Sequence, residues 1–347
     1  MLINNSNYFT ALENIKRRIR ITQYRAALGA NKELIELYWQ IGKVIIENTK
    51  YGAKFVENLS KDILSEFPEI QGFSPRNLKY MRKFAGTYPD FTKVQHVVAL
   101  LPWRNNLTLI SKIKDESERL WYIEQNIENG WNNNTLTHNI ETKLFQRQVE
   151  AKKTANYQRV LEMPFSELAE ETLKSPYVFD FVQKRKGIIE REIEKELVAN
   201  IAKTIMELGT GFAFVGNQYH IEVSEKDYYI DLLFYNTKLR CYVIIELKNT
   251  EFKPEYAGKL NFYLSAIDDT LKHETDNPSI GIMLCQTKDK LTAEYALKDI
   301  NKPIGVSEYK LSDFVPSEFI DTLPSAEDIE KRVKLEYDVE GDVFNER

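Results

Sequence analysis

The chain is 347 residues long, 43% hydrophobic and 29% charged, with 12% aromatic residues and a formal net charge of −5. The length predicts two domains, the composition excludes a disordered chain, and no apolar run approaches the roughly 18 to 20 residues of a membrane helix. The opening MLINNSNYFTALENIKRRIR has neither the apolar core nor the small-residue cleavage site of a signal peptide, so a cytoplasmic protein is expected.

The charge is unevenly spread. Residues 1–160 hold 24 Lys+Arg against 16 Asp+Glu, whereas residues 161–347 hold 23 against 36. A basic first half suits contact with a polyanion, and an acidic second half suits collection of carboxylates around a cation. Part of the acid excess, 8 acidic against 4 basic residues from Ser325 onward, belongs to a tail.

The first part reads as helical. NKELIELYWQIGKVIIEN (31–48) places Leu34, Tyr38, Ile41 and Ile45 on one stripe, and FVENLSKDILSEF (55–67) repeats the pattern with Leu59, Ile63 and Phe67. Pro68 and Gly72 break that helix, and Ser74-Pro75 opens another as N-cap and first-turn proline. Further helices are predicted over 106–113, 116–129 and 133–148. Residues 149–187 carry no strong pattern and read as a connection. A helix over 188–208 ends at Gly209 and Gly211. The texture then becomes aromatic and β-branched: FAFVGNQYHIEV, YYIDLLFYN and RCYVIIELK read as consecutive strands. A helix over 255–268, a strand over 279–286, a helix over 292–299 and a strand near 304–310 complete an α/β layer unit. Cys241 and Cys285 both fall in strand-like runs and read as reduced core thiols.

The chemistry concentrates in the second half. Asp231 interrupts an apolar strand, where a carboxylate is costly unless paired. Fifteen residues on come Glu246 and Lys248, which project from one face of their strand because side chains alternate. A turn at Asn236-Thr237-Lys238 would let Asp231 join them. Two carboxylates and an ammonium on one patch of sheet suit phosphodiester cleavage with a hard divalent cation, Mg²⁺ or Mn²⁺. The scattered histidines (His96, His138, His220, His273) have no metal-ligand spacing, and no glycine-rich loop precedes a helix as nucleotide hydrolysis would require.

The order helix, strand, Asp-bearing strand, Glu-x-Lys strand, helix, strand resembles the PD-(D/E)xK nuclease superfamily. FAFVGNQYHIEV, YYIDLLFY, LRCYVIIELK, EYAGKLNFYLSAIDD and SIGIMLC are similar to YhcG-type bacterial proteins, and so are ELIELYWQIG, GFSPRNLKYMRKF, LPW and LFQRQ further back. The resemblance implies an α+β two-domain protein: an all-α, helix-turn-helix-like or winged-helix-like N-terminal domain, then a restriction-endonuclease-like domain with a mixed central sheet. It implies Asp231 and Glu246 as metal ligands and Lys248 as the catalytic lysine. An acidic residue on the first helix of the nuclease domain often joins them. Glu194 is the candidate, since it shares a helical face with Val198, Ile201 and Ile205, unlike Glu192 and Glu196. A Gln-x-x-x-Tyr pattern of some members reads Lys259-x-x-x-Tyr263 here, a cation and a phenol on one helix face suited to a phosphate. The expected divisions are 1–150 helical, 151–187 connecting, 188–315 nuclease and 316–347 acidic tail.

In the first half, the pair of helices 55–67 and 75–87 resembles a helix-turn-helix, with Arg76, Asn77, Lys79, Arg82 and Lys83 on the second helix. Asn77 would read a base edge and the cations would hold phosphates, although the turn is longer than the usual one. Asparagines follow LPW and Gly130-Trp131 where the resemblance implies His and Arg, a departure from the family's pattern. Trp103, Trp121 and Trp131 read as packing residues. The expected function is metal-dependent cleavage of DNA by a protein able to form a homodimer, with genome defence among its roles by resemblance. A binding module without turnover and a protein–protein adaptor are the alternatives.

Overall fold

The computed structural model describes residues 6–48, 54–185 and 187–312. The expected acidic tail from residue 316 lies outside them. The chain forms two compact units, Met1–Phe145 and Gln146–Arg347.

The first unit is helical: α1 (Ser6–Glu47), α2 (Phe55–Glu66), α3 (Pro75–Thr87), α4 (Phe91–Val98), α5 (Trp103–Lys112), α6 (Glu116–Asn129) and α7 (Asn133–Glu141). Helix α1 begins well before the predicted start at residue 31. Its inward face carries Ile35, Tyr38 and Ile45, while Leu34, expected on that stripe, is 39% exposed. Gly42 lies on the same face against α3, and a Cβ there would collide with the Met81 carbonyl oxygen. The two backbones can approach this closely only because that side chain is missing. Ser74 caps α3 by accepting the Asn77 amide, with Pro75 in the first turn, as the sequence predicts.

The asparagines after LPW are buried. Asn106 donates to the Val98 and Leu101 carbonyls, and Asn105 donates to Asn126 and to the Trp131 carbonyl. They knit loops together inside the unit. Trp103 packs between Tyr38 and Phe84, at ring distances of 4.8 and 5.2 Å, and Trp121 packs against Tyr122 and Phe145. The helix predicted over 133–148 stops at Glu141, and the chain turns at Lys143, whose φ is 56°.

The second unit is a mixed sheet between helices. Its elements are β1 (Thr154–Ala155), α8 (Tyr157–Val160), α9 (Phe165–Thr172), β2 (Tyr177–Gln183), α10 (Glu190–Ala199), α11 (Ile201–Leu208), β3 (Phe212–Val223), β4 (Lys226–Asn236), β5 (Cys241–Glu251), α12 (Pro254–Thr270), β6 (Ile280–Thr287), α13 (Lys290–Leu297) and β7 (Ile304–Ser312). The strand order is β1-β7-β6-β5-β4-β3, with β2 also on β7. Strands β3, β4 and β5 run antiparallel in sequence, and β5, β6 and β7 run parallel. This is the mixed central sheet that the resemblance implies.

Residues 151–187 are not a mere connection. β1 and β2 pair with β7, and Tyr157, Leu173, Tyr177 and Phe179 are buried in the sheet's core. Short strands that pair only with β7, far along the sequence, leave no local pattern to read. The helix predicted over 188–208 is divided at Asn200 into α10 and α11. Side chains of β5 alternate between two cores: Val243, Ile245 and Leu247 face the α10 side, and Ile244 faces α12. Cys241 and Cys285 are buried free thiols, and burial pushes both up to about 12.

A buried charge cluster ties the beginning of this unit to α11. Arg147 Nη1 lies 2.5 Å from Glu207 Oε1, and the Val178 amide donates to the same oxygen at 2.9 Å. Lys174 Nζ donates to the Glu207 carbonyl and sits 3.9 Å from its Oε2. Burial lowers the Lys174 pKa to about 8; Glu207 opposes the shift, while Arg147 and Lys153 add to it. Folded protein therefore releases this proton near pH 8, and the unfolded chain keeps it to about 10.5. Between those values the unfolded state binds more protons, so the Lys174 contribution to stability rises with pH across that window. Denaturation midpoints at pH 7.5 and 9.5 should show wild type gaining on Lys174→Met at the higher pH. A difference independent of pH would contradict the assignment.

Candidate active site

The site is assembled where β4 and β5 part. Their pairing runs from Asn236–Cys241 to Leu232–Ile245 and stops there. The next residues in register are Asp231 and Glu246. In place of a further ladder bond, Asp231 Oδ2 accepts the backbone amide of Leu247 at 2.9 Å. Strand alternation then puts Glu246 and Lys248 on the α12 side of β5, as the sequence predicts.

Lys248 Nζ is 3.7 Å from Glu246 Oε2 and 4.0 Å from Asp231 Oδ2. It also donates to Glu190 Oε2 at 3.2 Å, to the Leu247 carbonyl at 2.6 Å, and lies 5.6 Å from the Tyr256 ring centre. Burial weighs against charge on this lysine, but the Asp231, Glu246 and Glu190 carboxylates outweigh it and raise its pKa. Lys248 is therefore a held cation.

Glu246 is wholly buried. Burial first, and the charge of Asp231 second, push its carboxyl up to about 7 against the pull of Lys259 and Lys248. Its Oε2 takes Lys259 Nζ at 3.0 Å, while its Oε1 is buried without a hydrogen-bond partner. Lys259, expected to meet a phosphate, pairs with Glu246 and keeps its side chain 44% exposed. Tyr263 sits below it, the ammonium 4.9 Å from the ring centre, and donates its hydroxyl to the Tyr229 carbonyl at 2.9 Å.

Helix α10 supplies two further acids. Glu190 and Glu194 are four residues apart and share a face. Glu190 takes Lys248 on one oxygen and the Asn249 amide on the other. Glu194 is buried, accepting from Asn217 Nδ2 at 3.1 Å and Gln218 Nε2 at 2.6 Å. Glu192 instead caps the helix start, and Glu196 pairs with Arg185. A cavity of about 470 Å³ opens here, lined by Glu190, Arg191, Glu194, Gln218, Tyr229, Asp231 and Leu247. Sequence reasoning missed Glu190, Asn217 and Gln218. The first could have been found from its spacing to Glu194; the amides lie in a strand whose backbone departs from the regular alternation.

Among the described residues, no three His, Cys, Asp or Glu side chains form a ready metal cage. Asp231 and Glu246 nonetheless fit a hard divalent ion. They are oxygen donors, Mg²⁺ uses one or two protein carboxylates while keeping waters, and Glu246 Oε1 is a buried acceptor with nothing to accept from.

The basic helix of the first unit, α3, is only partly as expected. Asn77, expected to read a base edge, makes contacts within the unit: its side-chain amide donates to the Gly72 carbonyl and its oxygen accepts from Trp103 Nε1 at 2.8 Å. A partly buried indole N–H is best served by an acceptor, and Asn77 supplies it. Lys79 pairs with Glu57 at 2.8 Å, and Arg76 lies over Tyr80. Arg82 and Lys83 are exposed.

Comparison with known proteins agrees with this geometry. Residues 170–324 match the YhcG PDDEXK nuclease domain, and residues 14–147 match the DUF1016 N-terminal domain. The chain is 27% identical over 320 residues to YhcG of Escherichia coli (strain K12), a curated protein with a provisional nuclease name, covering 82% of this chain and 84% of that one. A repair endonuclease from Pyrococcus abyssi aligns at 14% identity and a TM-score of 0.25, over 38% of this chain and half of that one. EndoMS in complex with double-stranded DNA aligns at 15% and 0.24, over 34% and 41%. Those two scores are too low to carry any statement about this chain. The chain thus matches a DUF1016 N-terminal domain followed by a YhcG PDDEXK nuclease domain, in this order and together over most of its length.

Proposed function

We propose that the second unit hydrolyses phosphodiester bonds of DNA with Mg²⁺ or Mn²⁺, and that the helical first unit positions the nucleic acid. The observation that carries this reading is the gathering of Asp231 and Glu246 within 4.0 Å of the Lys248 ammonium. When bound, a divalent ion would supply Lewis acidity toward the phosphate and a lowered pKa for its water. Asp231 and Glu246, joined by Glu194 from the same cavity as Asp231, are the residues to hold it. The raised pKa of Lys248 favours a cationic donor over a general base. It would orient the attacking water by hydrogen bonding and offset negative charge growing on the phosphate. Glu190 fixes that ammonium from the α10 side. Among the described residues no helix is long and apolar enough to cross a membrane. A cytoplasmic location, a homodimer and a part in genome defence extend the proposal by resemblance.

The test is a cleavage panel of supercoiled, linear, single-stranded and branched DNA and of RNA, with Mg²⁺, Mn²⁺ or EDTA. DNA cut only with the divalent ions is the expected result. RNA cut in its place would replace the substrate. Binding without cutting would favour a module lacking turnover, and neither binding nor cutting at low salt would favour the adaptor reading.

For the first unit, the exposed pair Arg82 and Lys83 is expected to contact phosphates. Arg82→Ala/Lys83→Ala should weaken DNA binding uniformly across sequences and reduce the salt slope of log K by about 2. An unchanged slope in a titration over salt would remove both residues from the interface.

A further inference from the structure

The two oxygens of the buried Glu194 carboxylate are held by amides from neighbouring residues of one strand, Asn217 and Gln218. Adjacent strand residues normally point to opposite faces. Here both amides reach one carboxylate because Gln218 has a φ of 44°. β3 is the edge strand next to the site and is already offset by an irregularity between Phe214 and Gly216. Such breaks re-aim side chains beside active sites.

The left-handed backbone is strained for glutamine, and glycine would adopt it freely. Glycine, however, could not reach the acids. The same Nε2 that donates to Glu194 at 2.6 Å also lies 3.5 Å from Asp231 Oδ1. Gln218 lines the cavity that contains both carboxylates. Being neutral, its amide holds them without cancelling their charge, as an ammonium or guanidinium in its place would.

We propose that Gln218 is a positioning residue, whose amide couples Glu194 to Asp231 and fixes the pair as the divalent ion needs it. This rests on the nuclease reading for its effect on cleavage, but its effect on ion binding stands apart from it.

The test uses the full chain with Gln218→Gly and Gln218→Asn, read by thermal unfolding, by calorimetric titration with Mn²⁺ alone, and by cleavage kinetics. Gln218→Gly should unfold within a few degrees of the wild-type temperature, because the relieved backbone offsets the lost amide. Its Mn²⁺ affinity should fall about 10-fold, with a similar loss in kcat and little change in KM for DNA. Asparagine tolerates the left-handed backbone and keeps an amide on a shorter arm, so Gln218→Asn should recover part of the Mn²⁺ affinity. Wild-type Mn²⁺ affinity in Gln218→Gly would overturn the proposal. So would a drop of many degrees in its unfolding temperature, which would make Gln218 a structural residue. If wild type binds Mn²⁺ but cuts nothing, the nuclease reading fails and the Mn²⁺ comparison still decides the role of Gln218.

Discussion

Lys248→Met is expected to reduce DNA cleavage by about 10²- to 10³-fold, the usual loss when one positioned donor to developing charge is removed. Methionine keeps an unbranched apolar stem in this nearly buried position, so packing against Tyr256 is largely retained. The ammonium is what disappears, and with it the group that stands between Asp231, Glu246 and Glu190. Glu246, already pushed up to about 7, can take a proton when that cation is lost, which limits the damage to folding. Single-turnover cleavage and DNA affinity should therefore separate: the rate falls while binding stays within a few-fold. Cleavage within about threefold of wild type would show that the held cation does not act on the transition state.

The largest stability loss is expected at Glu207, away from the site. Its carboxylate is enclosed with Arg147 and Lys174, the two ion-pair side chains exposing only 6% and 4% for Arg147 and Glu207. Glu207→Ala leaves a guanidinium buried without its counter-charge, which costs about 3 to 5 kcal/mol. For a unit of this size that is roughly 10 °C in Tm, at about 2–4 °C per kcal/mol. Glu207→Gln keeps an acceptor for Arg147 and for the Val178 amide and should lose less. Calorimetric unfolding of the two variants checks the ordering. A loss below about 1 kcal/mol in Glu207→Ala would mean that water or a rearranged Arg147 replaces the carboxylate.

The gathering of Asp231, Glu246 and Lys248 was legible because charge is conspicuous inside apolar strands and because side chains alternate along them. A short turn between β4 and β5 set the register that places Asp231 opposite Glu246. The start of α3 was legible in Ser74-Pro75 for an equally local reason. Other features depend on contacts distant in sequence. β1 and β2 exist by pairing with β7, so residues 151–187 show no periodicity of their own. Helix α1 is exposed over most of its first half, where no buried face imposes a stripe to read. Asn77 reads as a base-contacting residue because polar groups on a basic helix suggest it; its bonds to Gly72 and Trp103 depend on packing and could not be read there. The same limit hid Gln218, since a positive φ in a glutamine has no signature in the residues around it.

The most direct measurement is the rate at which supercoiled DNA is cut with Mg²⁺ or Mn²⁺ by wild type and by Asp231→Asn. The substituted amide side chain keeps an oxygen able to accept the Leu247 amide, so the fold at the end of the β4–β5 pairing should survive. Cutting by wild type that EDTA abolishes, with none above background from the variant, is the expected result. Cutting that survives EDTA, or that Asp231→Asn performs at the wild-type rate, would contradict metal-dependent cleavage at this site.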